Sequence, residues 1–203
     1  MLTYFIIGVT VLVSYISFQN AGLMAKLQFN AAHVINRKEY YRLITHAFVH
    51  GGWGHLFVNM LVLFFFGPDV EEDLGGFFGN KANAYFLLLY FGGILFSNAW
   101  AIIKHRNNYY YNSVGASGAV SAVLFTSIFF APWKPLYLYG IIEIPGILLA
   151  VGYLFYSYQM SKKQRDNVAH DAHFLGALWG FIFPVLLKPE LFGDFIDKLF
   201  RLI

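Results

Sequence analysis

The sequence contains no cysteine, and only 12% of its 203 residues are charged. Without cysteine the chain can form neither a disulfide framework nor a thiolate nucleophile. Soluble globular domains carry about 25% charged residues, so the low charge argues strongly against a free-standing soluble enzyme. Proline is also scarce, at six residues, while aromatic residues make up 20% of the chain. This composition excludes a disordered or linker-like protein, which would be poor in aromatic side chains.

The chain also lacks a long basic segment, although its net charge is +3. Its densest basic run is Lys162-Lys163-Gln164-Arg165, which is too short to indicate a nucleic-acid surface. We therefore predict no nucleic-acid partner. A hydrophobic content of 58% indicates instead that the lipid bilayer surrounds the protein.

Long apolar stretches are what the sequence does contain. A helix that crosses a hydrocarbon core of about 30 Å needs about 17 to 25 apolar residues. Six stretches of this kind occur: Leu2 to Phe18, Gly52 to Asp69, Ala84 to Ile103, Gly115 to Ala131, Tyr137 to Tyr158, and Val168 to Leu187. The first has no Lys or Arg before it and no clean cleavage site, which favours a retained helix over a signal peptide. We predict an all-α membrane protein, a single domain over residues 1–203 built as a bundle of six transmembrane helices.

The connecting segments differ in length and composition. Residues 19–51 mix basic and apolar side chains, so we expect a folded loop at the membrane interface. Residues 68–83 are acidic and rich in glycine and are expected to form an ordinary loop. Residues 192–203 combine charged and apolar side chains in the pattern of a surface amphipathic tail. Glu143 falls inside the fifth predicted span, beside Pro145.

A few polar residues lie at the same relative place in three of the predicted helices. His55 and Asn59 are near the start of the second span, Ser117 opens the fourth, and His173 is near the start of the sixth. Even-numbered helices run in the same direction, so these four residues are predicted to share one depth on one side of the membrane. Polar groups at membrane depth are costly and are functional candidates by default.

Glycines surround the serine and follow the second histidine. Gly115 and Gly118 flank Ser117 at a helix start, where free backbone N–H groups and the helix dipole favour an oxyanion. Gly176 and Gly180 follow His173 on the same helical face and permit close packing. The fourth helix offers a matching small face in Gly118, Ser121 and Ala122. Such packing would bring the His173 imidazole within reach of the Ser117 hydroxyl, as a nucleophile and its base require.

Each of these residues also has a structural interpretation, which the residues alone leave open. Serine often links membrane helices through hydrogen bonds, and a lone interior histidine is more often structural than catalytic. Asn59 shares a helical face with His55 and could hydrogen-bond a neighbouring helix instead of an oxyanion.

Three segments carry a family resemblance. They are His46-Ala-Phe-Val-His50-Gly-Gly-Trp-Gly-His55-Leu-Phe-Val-Asn59, Gly115-Ala-Ser117-Gly118 and Ala172-His173-x-x-Gly176, supported by Tyr41-Arg42 and Gly67-x-x-x-Glu71-x-x-x-Gly75. In this order and spacing they resemble the rhomboid intramembrane serine proteases. The resemblance covers the whole predicted six-helix core.

The resemblance implies a Ser–His dyad without a carboxylate. Ser117 would attack the scissile carbonyl and His173 would move the proton, while His55, Asn59 and the Ser117 N–H would hold the oxyanion. Structural support is implied for Arg42, His46, His50 and Glu71, with Arg42 fixing the first loop and Glu71 anchoring the turn after the second helix. No cofactor and no metal are implied.

The implied substrates are transmembrane or juxtamembrane segments of single-pass or multi-pass membrane proteins. The fifth helix would be the lateral gate for substrate. Two positions depart from the family pattern: Tyr41 replaces a tryptophan, and Ser121 stands where an aromatic residue often packs against the histidine. Another side chain must therefore orient His173.

Charge counting conflicts with the orientation that the family implies. The face that carries the dyad has nine Lys and Arg residues and the opposite face has five: Lys26, Arg37, Lys38, Arg42, Lys104, Arg106, Lys162, Lys163 and Arg165 against Lys81, Lys134, Lys188, Lys198 and Arg201. The positive-inside rule would place the active face in the cytoplasm. We follow the family and expect a bacterial inner membrane, with the active site opening to the extracytoplasmic side.

Three other functions compete with proteolysis. An inactive rhomboid-like protein would bind membrane proteins without cutting them, and the unusual Ser121 keeps this alternative open. A metal or haem protein is suggested by the five histidines His46, His50, His55, His170 and His173, to which Asp171 could be added. A transporter would normally show internal repeats, which the sequence does not display.

Overall fold

The structure is a computed structural model that describes residues 2–138, 141–163 and 170–200. Its helices are α1 (Leu2–Gln19), α2 (Ala21–Leu27), α3 (Ala31–Asn36), α4 (Arg42–Thr45), α5 (Trp53–Phe78), α6 (Ala82–Ser97), α7 (Ala99–Lys104), α8 (Ser117–Phe130), α9 (Gly146–Lys163), α10 (His170–Leu187) and α11 (Leu191–Phe200). Two short strands, β1 (Pro135–Leu138) and β2 (Ile142–Pro145), form an antiparallel hairpin between α8 and α9.

The fold is a helical membrane bundle, as the sequence predicts. Among the described residues, three helical stretches are long and apolar enough to cross a membrane: Leu2–Gln19, Trp53–Lys104 and His170–Leu187. The second of these contains α5, α6 and α7 in succession, and α8 is a shorter apolar helix. The count of six spans stays a prediction.

Helix α8 lies at the centre of the bundle and packs against α5, α6, α9 and α10. Every residue of α8 is buried except Ser117 and Leu124. Its 14 residues span about 21 Å at 1.5 Å per residue. This is shorter than a hydrocarbon core of about 30 Å. Helix α8 alone is therefore too short to cross the hydrocarbon core.

Helices α8 and α10 meet backbone to backbone. A Cβ added to Gly176 would overlap the carbonyl group of Gly118, and one added to Gly180 would overlap that of Ala122. Thr126 lies one turn of α8 after Ala122, and its hydroxyl donates a hydrogen bond of 2.7 Å to the Gly180 carbonyl. Lipid supplies no hydrophobic force between helices, so such close contacts and hydrogen bonds stabilise their association.

The start of α1 is anchored on the middle of α5. The Glu71 carboxylate accepts hydrogen bonds from the Leu2 N–H at 3.0 Å and the Thr3 N–H at 2.7 Å. These N–H groups belong to the first turn of α1 and have no acceptor within their own helix. Gly67 lies one turn before Glu71, and a Cβ there would collide with the Thr3 side chain.

The prediction that the second span ends at Asp69 and gives way to a loop over 68–83 is wrong. Helix α5 continues through Pro68 as far as Phe78, and α6 already begins at Ala82. Pro68 removes one backbone hydrogen bond. The buried side chains of Val70 and Leu74 keep the following turns packed against the bundle. Glu71 therefore lies within a helix and caps α1 instead of anchoring a turn.

The fifth predicted span, Tyr137 to Tyr158, begins too early. Tyr137 pairs with Glu143 in the β1–β2 hairpin, and α9 starts only at Gly146. Glu143 is therefore a strand residue and not part of a membrane helix. The aromatic Tyr137 in β1 and the β-branched Ile142 and Ile144 in β2 favour strands here. Pro145 is the last residue of β2 and directly precedes Gly146, the first residue of α9.

The remaining boundaries agree more closely with the sequence. The third span divides into α6 and α7 at Asn98, and residues 19–51 contain α2, α3 and α4. Val168, where the sixth span was predicted to start, lies outside the described residues, and so do residues 201–203 of the predicted tail. The described part of that tail is α11, whose Phe195 ring stacks on Phe129 of α8 at 5.1 Å.

We expect substitution of Gly180 to destabilise the bundle. In Gly180→Ala the new Cβ would meet the Ala122 backbone, which cannot move aside, so we expect a loss of about 1 to 3 kcal/mol. Thermal unfolding in detergent, followed by circular dichroism, would measure it. The matched control is Gly152→Ala in α9, where a Cβ would meet nothing within 4 Å. The control should be neutral or more stable by up to about 1 kcal/mol. Equal effects of the two changes would contradict the packing described.

Candidate active site

Ser117 is the first residue of α8. The chain reaches it through Gly115, a position whose backbone conformation and surroundings require glycine. Gly115 has φ of +114°, in the region that side chains disfavour. A Cβ at this position would lie 2.6 Å from Cε1 and 2.8 Å from Nε2 of His55. Gly115 therefore allows the backbone to enter α8 directly against the His55 imidazole. As the first residue of a helix, Ser117 also has an N–H without an acceptor in its own helix.

His55 and Asn59 occupy the first turns of α5, facing this entry. The His55 ring is exposed, whereas Asn59 is buried. One N–H of the Asn59 amide donates to the His55 carbonyl at 3.1 Å. An amide nitrogen carries two hydrogens, so this bond leaves the second N–H of Asn59 for another acceptor.

Two histidines of the first loop hold the residues that precede Ser117. The Gly115 N–H donates to the His46 carbonyl at 2.9 Å, and the Ala116 N–H donates to Nε2 of His50 at 3.3 Å. These contacts satisfy both donors, so they are not free to bind a substrate oxygen. The next free N–H along the chain is that of Ser117.

The contacts of His50 define its protonation. The Ser14 hydroxyl of α1 donates to the Phe48 carbonyl at 2.9 Å and also lies 2.9 Å from Nδ1 of His50. Since the hydroxyl hydrogen is engaged, Ser14 accepts from His50 Nδ1–H, and Nε2 is the acceptor of the Ala116 N–H. His50 is therefore neutral and connects α1, the first loop and the entry to α8. Burial, with smaller contributions from His55 and His46, lowers the pKa of His50 to about 3.

His46 is held in a similar way on the other side of the loop. It is buried, and its Nε2 accepts a hydrogen bond of 2.8 Å from the Asn98 amide. The same amide nitrogen donates to the Ile94 carbonyl at 2.9 Å, which fixes its orientation. Burial lowers the pKa of His46 to about 4. Both loop histidines are thus neutral acceptors at physiological pH.

His173 lies in the first turn of α10, on the side that faces α8 and α9. Gly176, which touches Gly118, is three residues further on, so the glycine contact sets the first turns of the two helices side by side. The His173 ring stacks with Tyr153 of α9, with ring centres 6.3 Å apart at 19°. The edge of His170 approaches it at 5.9 Å.

Arg42 stabilises the first loop from inside. It is buried, and its guanidinium donates 2.8 Å hydrogen bonds to the carbonyls of Ala25 and Gln28, where α2 ends. It also pairs with the Glu39 carboxylate. The hydrogen bond from Arg42 lowers the pKa of that carboxyl group. The loop is in turn fastened to the segment before Ser117, because Phe29 and Ser113 form a backbone bridge.

The comparisons with known proteins decide the family. A family model described as "Rhomboid domain" matches residues 37–190. The chain belongs to the rhomboid family. The match includes the first-loop histidines, the serine and the second histidine of the site.

Individual relatives agree with this assignment. The rhomboid chain is 30% identical over 150 residues to "RHOMBOID-like protein 12, mitochondrial" of Arabidopsis thaliana, covering 66% of this chain and 43% of that protein. It is 33% identical over 173 residues to "RHOMBOID-like protein 1" of the same plant, covering 81% and 39%. It is 29% identical over 148 residues to "Putative rhomboid protease YdcA" of Bacillus subtilis (strain 168), covering 73% and 67%. The chain thus spans about two fifths of the length of these plant relatives.

The structure gathers most of the predicted site residues of this rhomboid protein at one end of the bundle. His55 touches the entry to α8, Asn59 bonds to His55, and His46 and His50 hold the residues before Ser117. Arg42 lies further out in the first loop, and Glu71 lies apart from the site, at the start of α1. Among the described residues, no group of three or more His, Asp or Glu side chains is arranged to hold a metal ion.

Sequence analysis did not identify three residues that lie near the site: Ser14, Asn98 and Tyr153. A signal for Ser14 was present, because the buried polar residues Thr3, Thr10, Ser14 and Ser17 form one stripe along α1. Asn98 interrupts an apolar span, which is also a signal. Tyr153 carried none, because α9 contains several aromatic residues that the sequence does not distinguish.

We expect the rhomboid fold to lose stability in acid because of His46 and His50. Their pKa values in the folded protein, about 4 and about 3, lie below the value near 6.5 of an unfolded histidine. The unfolded chain therefore binds more protons below pH 6.5, and stability falls as the pH drops. Between pH 7 and pH 5 each histidine should cost about 2 kcal/mol.

Unfolding midpoints at pH 7 and pH 5 would measure this dependence. The variant His50→Gln keeps an acceptor for the Ala116 N–H but does not titrate, so its loss of stability between pH 7 and pH 5 should be about 2 kcal/mol smaller than that of the unchanged protein. An unaltered pH dependence in this variant would show that His50 is not buried in neutral form.

Proposed function

We propose that this rhomboid protein is an intramembrane serine endopeptidase that uses Ser117 and His173. The observation that carries the proposal is the backbone contact between α8 and α10, through Gly118 with Gly176 and Ala122 with Gly180. This contact sets Ser117 and His173 at adjacent helix starts. Ser117 is also partly accessible at the end of an otherwise buried helix.

In the proposed reaction the Ser117 hydroxyl oxygen forms a bond to the scissile carbonyl carbon while His173 takes its proton. The tetrahedral intermediate then collapses as the carbon–nitrogen bond breaks, and His173 returns the proton to the leaving amine. Water hydrolyses the resulting acyl-enzyme by the same steps in reverse order. The scheme uses no carboxylate, and the ring that stacks with the His173 imidazole is that of Tyr153.

The negative charge on the carbonyl oxygen needs donors that are already in place. We propose the Ser117 N–H, the second N–H of the Asn59 amide, and an N–H of His55. The geometry supports this set, because the Gly115 and Ala116 N–H groups are engaged by the first loop. The His55 ring lies against Gly115, on the side of the helix entry that a substrate would approach.

The proposed substrates are transmembrane or juxtamembrane segments of single-pass or multi-pass membrane proteins. We propose that they enter beside α9, whose Leu148, Val151 and Phe155 are exposed along the bundle surface. The relatives come from a plant and from a bacterium and do not single out one membrane. The bacterial inner membrane and the extracytoplasmic opening stay predictions.

A covalent probe tests the nucleophile. We expect detergent-solubilised protein to be labelled by a fluorophosphonate, and Ser117→Ala and His173→Ala to lose labelling and cleavage of a model transmembrane substrate. The matched control is Ser127→Ala, which removes a buried serine from the same helix and should remain labelled. Equal labelling of the unchanged protein and Ser117→Ala would overturn the proposal. Absence of labelling in a folded, unchanged protein would favour the inactive, membrane-protein-binding alternative.

The oxyanion donors make a separate prediction. Asn59→Ala and His55→Ala should each lower kcat by about 10²- to 10³-fold with little change in KM, because each donor acts mainly in the transition state. Initial rates of cleavage in proteoliposomes would give both constants. Val58→Ala removes an exposed side chain between the two positions and should leave kcat unchanged. A kcat within a few-fold of the unchanged value in both variants would remove these residues from the oxyanion site.

A further inference from the structure

The contact between His173 and Tyr153 joins the proposed base to a helix that otherwise carries no part of the site. The two rings are nearly parallel, at 19°, with centres 6.3 Å apart. Tyr153 belongs to α9, whereas Ser117 and His173 begin α8 and α10. The orientation of the imidazole therefore depends on a third helix.

Tyr153 is itself held by α8, on the face that follows Ser117. Its hydroxyl forms a 3.0 Å hydrogen bond with the Ser121 hydroxyl, and Ser121 is buried. One turn further on, the buried Phe125 ring lies 5.8 Å from the Tyr153 ring. Ser117, Ser121 and Phe125 are spaced by four residues and share one helical face. The same face that presents the nucleophile thus fixes the ring that lies on the base.

The next tyrosine of α9 contacts the other histidine of the first turn of α10. Tyr156 approaches His170 edge-on at 5.6 Å, and His170 in turn meets His173 at 5.9 Å. Tyr153 and Tyr156 are three residues apart and lie on one side of α9. Both histidines in the first turn of α10 are therefore packed by a single face of α9.

We propose that Tyr153 is a positioning residue for His173, anchored by Ser121, and that His173 is correctly oriented only while α9 is docked against α8 and α10. The proposal rests on the proposed function and names how its base is aligned. The ring acts by restricting the rotation of the imidazole, which as the proposed base must face Ser117 at the start of α8. The hydroxyl acts through its hydrogen bond with Ser121, which keeps the ring in its plane.

We expect substitutions of Tyr153 to change kcat much more than KM. A misaligned base slows proton transfer and leaves substrate binding unaffected, and displacements of about 1 Å can cost about 10²-fold in rate. In Tyr153→Leu we expect kcat to fall by at least about tenfold with KM within about twofold. Tyr153→Phe keeps the ring and should restore most of this loss, with a remaining decrease of a few-fold. The control is Phe155→Leu, which removes an exposed aromatic ring from the same helix and should leave kcat unchanged.

The experiment measures kcat and KM for these variants in proteoliposomes with a model transmembrane substrate, together with the pH dependence of kcat. Labelling by a fluorophosphonate in the unchanged protein tests the proposed function separately. If the unchanged protein is active but Tyr153→Leu keeps kcat within twofold, or loses no more than Phe155→Leu, the positioning role is overturned. A tenfold loss rescued by Tyr153→Phe, with an altered pH profile for Tyr153→Leu, supports it.

If Tyr153→Leu does not fold, a double-mutant cycle on the hydrogen bond between Ser121 and Tyr153 tests the positioning role instead. Ser121→Ala and Tyr153→Phe each remove the same hydrogen bond and leave the ring in place. If the bond serves to hold the ring, the double variant should lose no more kcat than either single variant, because the two changes are coupled. Additive losses, or no loss in any of the three, would overturn the proposal.

Discussion

The backbone contact between α8 and α10 is the constraint on which the rest of the site depends. Gly118 against Gly176 and Ala122 against Gly180 fix both the separation and the register of the two helices. A single methyl group at Gly176 or Gly180 would have to displace a main chain. The serine and the histidine are consequently set by rigid helices, which hold functional groups more accurately than loops do. The surrounding residues adjust only the orientation of the two side chains, because the helix contact already determines where their backbones lie.

The first loop performs that adjustment for the serine. The loop cannot act through side-chain packing alone, because Gly115 at the entry to α8 has a positive φ and no side chain to contact. Instead, His46 and His50 accept the two N–H groups before Ser117, and Arg42 holds the carbonyls at the end of α2. His46 accepts through its backbone carbonyl, whereas His50 accepts through Nε2 of a neutral imidazole, which can also donate a hydrogen bond from Nδ1. Three histidines near the serine thus have different surroundings: two are buried acceptors and the third, His55, is exposed.

The general plan could be predicted from the sequence because membrane helices reveal themselves by length and apolar content. A shared depth of Ser117, His173, His55 and Asn59 was predicted from helix direction alone, and the glycine stripe indicated the packing partner. The family assignment also followed from motif spacing. Interactions between distant segments could not be found in this way. Pro68 normally ends a helix, yet burial of Val70 and Leu74 carries α5 past it. The hairpin before α9 is rich in Leu and Ile and leads directly into an apolar helix, so hydropathy alone does not mark the boundary between them.

The anchoring of α1 by Glu71 has a consequence for the order of assembly. The carboxylate is separated from the two N–H groups it satisfies by 68 and 69 residues of chain. The two hydrogen bonds can therefore form only after residue 71 has been synthesised. The packing of the start of α1 depends in this way on a residue of α5, whereas its Ser14 is held by the first loop through Phe48 and His50.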